Sequence, residues 1–61
     1  MPLITVKAAE GRTVEQKRKL VKDITDAVVK NFNAPADSVI VDIVEYSKTN
    51  LAKAGQLFID R

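Results

Sequence analysis

Apolar and polar positions alternate along residues 3–8, LITVKA, with Ile4 and Val6 on one face and Leu3, Thr5 and Lys7 on the other. Alternation with β-branched side chains predicts a strand. EGRT follows, and Gly11 marks a turn. Thr13 then opens the pattern T-x-x-Q, a capping box in which the threonine hydroxyl takes the amide of Gln16 and the glutamine side chain reaches back. Behind it the period changes. Val14, Leu20, Val21, Ile24, Ala27, Val28 and Phe32 recur at helical spacing. The opposite face carries Glu15, Arg18, Lys19, Lys22, Asp26 and Lys30, with Glu15–Lys19 and Asp26–Lys30 at favourable i,i+4 spacing. The pattern predicts an amphipathic helix from about 14 to about 32, stopped by Asn33 and Pro35.

SVIVDIVEY, residues 38–46, predicts a second strand in which the alternation fails in an informative way. Val39, Val41 and Ile43 make one apolar face, but Ile40 and Val44 line the other beside Asp42. A strand apolar on both faces needs cover on both. The single helix of a β-α-β unit covers one face of its sheet, because the crossover has a fixed hand. No other segment is large enough for the second face, so further subunits are expected there. In the tail, TNLAKAG predicts a loop or tight turn with Gly55 at a turn or bulge, and the run LFI at 57–59 a strand fragment.

Sixty-one residues form one small domain, 1–61. Size scaling gives about 9,700 Å² exposed when unfolded and about 3,900 Å² when folded. With about 60% of the difference apolar, burial contributes roughly 90 kcal/mol, and ordering the chain costs about the same. Small domains escape this balance through disulfides, metals or oligomerisation. With no cysteine and no histidine, only oligomerisation remains. The same absences exclude Ser–His and Cys–His catalysis and a thiolate zinc site. A net charge of +2 is too slight to argue for nucleic acid. No apolar run approaches membrane-spanning length and no signal segment opens the chain, so a soluble cytoplasmic protein is expected.

The remaining candidate chemistry begins at Pro2. Aminopeptidases remove an initiator methionine ahead of a small residue, and proline qualifies. Removal of Met1 leaves Pro2 with a free secondary amine, whereas with Met1 attached its nitrogen is an uncharged tertiary amide. One step before a strand, such an amine is fixed in place. Near apolar walls and a cation its charged form loses solvation and its pKa falls, which makes it a general base near neutrality. Arg12 stands where the helix dipole disfavours a cation, and amides and guanidinium together attract an anion there. The run Lys17, Arg18, Lys19 and Lys22 reads as a solvated face paired with acids. Asp42 reads as a charge at a subunit contact and Tyr46 as a packed or interface residue.

Pro2, the stretch EGRTVEQKRKLV, the APADSV before the second strand and E-Y-S-K-x-x-L-x-x-x-G together resemble the 4-oxalocrotonate tautomerase family over the whole chain. The resemblance implies an α/β protomer, a single β-α-β unit with a short C-terminal hairpin. Its two-stranded parallel sheet pairs into dimers that assemble as homohexamers, trimers of dimers. It implies that Pro2, freed of Met1, is the general base that shuttles a proton between the enol oxygen and a distant carbon of an unsaturated 2-oxo acid, without a cofactor. Position by position, Pro2 matches the catalytic proline and Arg12 the arginine that contacts a substrate carboxylate. Two positions depart from the pattern. Leu51 stands where the family places a phenylalanine that keeps the substrate site dry, and preserves an apolar wall. Ile40 stands where it places a second arginine, and losing such a cation typically costs about 10² to 10³ in rate. The expected partner is a small carboxylate or 2-oxo acid. Two other readings stay open: a hydratase or dehalogenase on the same proline platform, with Glu10 or Asp42 activating water near Pro2, and a non-catalytic oligomeric scaffold that has lost the chemistry.

Overall fold

Strand β1 (Leu3–Ala9) and strand β2 (Ile40–Tyr46) lie side by side and parallel, in register from Leu3↔Ile40 to Ala9↔Tyr46. Helix α1 (Val14–Phe32) connects them, in a computed structural model that describes all 61 residues. The expected β-α-β unit is therefore present. A 3-10 turn at Ala36–Ser38 precedes β2, so the strand begins at Ile40 rather than at Ser38. Ser38 closes that turn through bonds from its amide and its hydroxyl to the Pro35 carbonyl.

Both ends of α1 are set by local chemistry. Thr13 is extended (φ −74°, ψ 160°), its Oγ1 accepts from the Gln16 amide at 3.1 Å, and Gln16 Oε1 accepts from the Thr13 amide at 2.9 Å. Two helix-end amides are satisfied together, as the capping box requires. At the other end Asn33 adopts the left-handed conformation (φ 53°, ψ 42°) that ends helices, and Pro35 follows. The exposed helix face pairs differently from expectation. Glu15 binds Arg18, Lys19 binds Asp23 at 2.9 Å and Lys22 binds Asp26 at 2.8 Å, while Asp26–Lys30 does not form. Lys19 lies four residues from both Glu15 and Asp23, and Asp26 four from both Lys22 and Lys30, so sequence spacing alone leaves the choice open.

The C-terminal segment folds into the short hairpin β3 (Ala52–Lys53) and β4 (Gln56–Leu57), antiparallel with Lys53↔Gln56. Its two-residue turn has positive φ at Ala54 (53°) and Gly55 (79°), the type I′ form that matches strand twist. Glycine takes this freely, and alanine at roughly 1–2 kcal/mol. Only Leu57 of the LFI run is in a strand; Phe58 and Ile59 enter a final 3-10 turn, Phe58–Asp60. The amide of Phe58 reaches the Leu51 carbonyl at 2.8 Å and that of Ile59 the Lys48 carbonyl at 3.2 Å, closing the tail onto the loop after β2.

The helix lies over the face that carries Val6, Ala8, Ile43 and Glu45. Lys17 of α1 pairs with Glu45 across this contact, both about a third exposed. The other face, with Leu3, Thr5, Lys7, Ile40, Asp42 and Tyr46, has no helix over it. Leu3 is 68% exposed there and Ile40 45%. No residue of the protomer is fully buried. Its surface of 4823 Å² exceeds the roughly 3,900 Å² of a compact chain of this mass. The excess removes roughly 14 kcal/mol of hydrophobic burial from a balance already near zero. The radius of gyration, 14.7 Å over extents of 43 × 22 × 13 Å, likewise exceeds the roughly 10.5 Å of a globular domain. Val14 and Phe32, at the two ends of the helix's apolar stripe, remain 60% and 70% exposed. One protomer lacks the core of a free-standing domain.

Candidate functional site

Pro2 sits just ahead of β1, half-buried, and its carbonyl accepts a hydrogen bond from the Ile40 amide at 3.0 Å. The parallel ladder thus extends one residue beyond the strand and holds the proline through its C=O, leaving its nitrogen outside the ladder. Ile40, paired with Leu3, is its neighbour on β2.

Arg12 lies past the opposite end of the same strand. The Glu10 amide still bonds the Tyr46 carbonyl, at 2.8 Å, and the chain then turns into α1 through Gly11 at φ 123°, a conformation that favours glycine. Arg12 lines a cavity of about 190 Å³ between helix and sheet, with Gln16, Lys17 and Glu45 as its other polar walls and Val6, Ala8, Leu20 and Ile43 as its apolar ones. Lys17 and Glu45 compensate one another. Arg12 makes no ion pair and leaves one positive charge uncompensated there.

Leu51 occupies a third place. It lines a wider hollow with Lys7, Ala9, Tyr46 and Phe58, where the tail folds back on the sheet. The three sequence-predicted site residues are therefore not brought together within one protomer. Pro2 is six residues from Ala8 beside the Arg12 cavity, about 20 Å along an extended strand. No substrate of metabolite size spans that gap. Of the carboxylates weighed for water activation, Glu10 lies at the end of β1 away from Pro2, and Asp42 accepts from the Thr5 hydroxyl at 2.7 Å. The Lys17–Glu45 pair and the cavity it walls went unread in the sequence, where no spacing rule links positions 28 apart.

No three carboxylates gather where they could hold a metal, and no helix is long and apolar enough to cross a membrane.

Residues 2–61 match the sequence model of the tautomerase enzyme family. The chain is 48% identical over 61 residues to the "probable tautomerase" of Bradyrhizobium diazoefficiens, covering 100% of this chain and 91% of that protein. It is 45% identical over 60 residues to the 2-hydroxymuconate tautomerase of Bacillus subtilis, covering 98% and 97%. Among solved structures it is similar to a heterohexameric 4-oxalocrotonate tautomerase from Chloroflexus aurantiacus, with a TM-score of 0.90, 28% identity, and 98% and 97% of the two chains covered.

Proposed function

The chain belongs to the tautomerase family, and on that premise we propose that it ketonises enols of unsaturated 2-oxo acids with the Pro2 amine as general base. The observation that carries this reading is the hold on Pro2: its carbonyl is fixed by Ile40 while its nitrogen stays outside the ladder. In a chain with neither histidine nor cysteine, an amine freed by loss of Met1 is the base that neutral-pH proton transfer calls for. The amine accepts the enol O–H proton as the carbonyl forms. The same proton, carried on the prolinium nitrogen, is delivered to the carbon end of the conjugated system, and the base is regenerated with no net change in the enzyme. Arg12 holds the substrate carboxylate by charge-assisted hydrogen bonds.

The separation of Pro2 and Arg12 gives this reading a structural condition. The site forms only where the Pro2 end of one protomer meets the Arg12 end of another. The exposed sheet face and the missing core support such an assembly, and the heterohexameric relative supports a hexamer. Glu10 lies at the far end of β1 from the Pro2 of its own chain and Asp42 is held by the Thr5 hydroxyl through one oxygen, so water activation beside Pro2 has less support than tautomerisation.

The test is a ¹⁵N NMR titration of the Pro2 nitrogen in protein produced with its native start. A secondary amine titrating at about 7 or below is expected of a tuned base. No titrating amine, or a pKa at or above the ordinary terminal-amine range of about 8, overturns the assignment.

A further inference from the structure

We propose that the site selects enols of 2-oxo acids that carry one carboxylate and an apolar remainder, and discriminates against dicarboxylates; this rests on the tautomerase reading above. The inference comes from a count of charge at the two half-sites. The Arg12 cavity holds two cations and one carboxylate, and the Lys17–Glu45 pair cancels within it, so one positive charge faces a ligand. Lys7, the one cation on β1, lines the hollow with Tyr46 and Leu51 rather than the Arg12 cavity.

The strands at the Pro2 half-site offer no second positive charge. Its neighbours on the two strands are Leu3, Ile4, Thr5, Ile40, Val41 and Asp42. None is a cation, and the single charged group is an acid bonded to Thr5. Ile40, whose amide holds Pro2, presents a 45% exposed aliphatic side chain on the same sheet face as the 68% exposed Leu3. A substrate bridging the half-sites sets its first carboxylate on Arg12. A second carboxylate then loses water against Leu3 and Ile40 with no partner, an arrangement that strongly disfavours the charged form. An alkyl or aryl group at that end gains from the same surface. Ile40 is thus the specificity-determining residue.

Binding, which is independent of proton transfer, tests this directly. Dissociation constants of cinnamate and trans,trans-muconate, two unreactive acids of similar length, are measured by calorimetry on processed wild-type protein, on Ile40→Arg and on Arg12→Ala. Cinnamate is expected to bind wild type at least tenfold more tightly. Ile40→Arg is expected to shift the ratio at least tenfold toward muconate, and Arg12→Ala to weaken both ligands. Equal or tighter binding of muconate by wild type overturns the proposal even if Ile40→Arg fails to assemble. A folded Ile40→Arg protein with an unchanged ratio overturns Ile40 as its cause. Turnover of phenylenolpyruvate and 2-hydroxymuconate separates this from the parent reading. A cinnamate preference in protein that ketonises neither enol counts against the Pro2 base and leaves the selectivity standing.

Discussion

The two ends of β1 are built on opposite principles. At the Pro2 end the backbone does the positioning: one amide-to-carbonyl bond from Ile40 sets the residue, and the strand side chains next to it, Leu3 and Ile40, are aliphatic. At the Arg12 end side chains do the work. A capping box, a glycine turn and the Lys17–Glu45 pair shape a cavity around one free guanidinium. One end is suited to a neutral base, whose proton affinity depends on low polarity. The other is suited to an anion, whose capture depends on uncompensated charge. Under the proposed function, a separation of about 20 Å in each chain keeps the guanidinium from acting on the Pro2 amine of its own protomer, and the two meet only in assembly.

Four measurements would break or sharpen this contrast. The largest effect is expected at the Pro2 end. Pro2→Ala, with Met1 still removed, should lower kcat for ketonisation at least tenfold, toward the 10² to 10⁴ typical of a lost general base; unchanged kcat ends the assignment. Arg12→Ala should act on KM, raising it about tenfold or more for a carboxylate substrate and far less for a neutral carbonyl compound. Equal effects on both substrates would remove Arg12 as the carboxylate anchor. Thr13→Ala deletes the cap beside Arg12 and should cost about 1 kcal/mol of stability in chemical denaturation, with the pH profile of kcat unmoved. A shifted profile would mean that the two ends are coupled.

The smallest effect lies in mid-helix and serves as a reference for both ends. The hydrogen bond and charge of Asp26, with a smaller contribution from Asp23, raise the Lys22 pKa above its ordinary 10.5 against a slight desolvation. A raised folded-state pKa stabilises the fold below pH 10.5 and loses that contribution as pH rises through the folded value. Wild type should therefore show a slightly higher Tm than Asp26→Asn at pH 9, and the gap should close above pH 10.5. A gap that widens with pH would contradict the pairing.

How much of this was legible in the sequence follows from the range of each interaction. The capping box, the Asn33 stop and the strand faces are local, and the residues at 13, 16 and 33 stated them outright. The tail was half legible. Gly55 announced a turn, but the type I′ geometry also demands positive φ at Ala54, which no alanine advertises. The ion pairs on α1 were legible as a class and not as partners, because Lys19 lies four residues from both Glu15 and Asp23. Lys17–Glu45 depends on the helix docking over β2 and left no local trace. Pro2, Arg12 and Leu51 stood out through resemblance, and their dispersal over three places follows from strand length. A seven-residue strand between Pro2 and the turn to Arg12 cannot bring its two ends together.

The bond from Ile40 to the Pro2 carbonyl has a consequence for anyone handling the protein. The ladder grips the side of the residue that processing leaves untouched, so a chain that keeps its methionine forms the same strand pairing as one that has lost it. The strand pairing itself does not tell the two apart. Under the proposed chemistry an oligomer can then contain any ratio of live and silent amines, and specific activity reports the completeness of an aminopeptidase reaction rather than the quality of folding. Intact-mass determination belongs ahead of every rate constant, and an N-terminal tag silences the amine through the same amide bond that a retained methionine does.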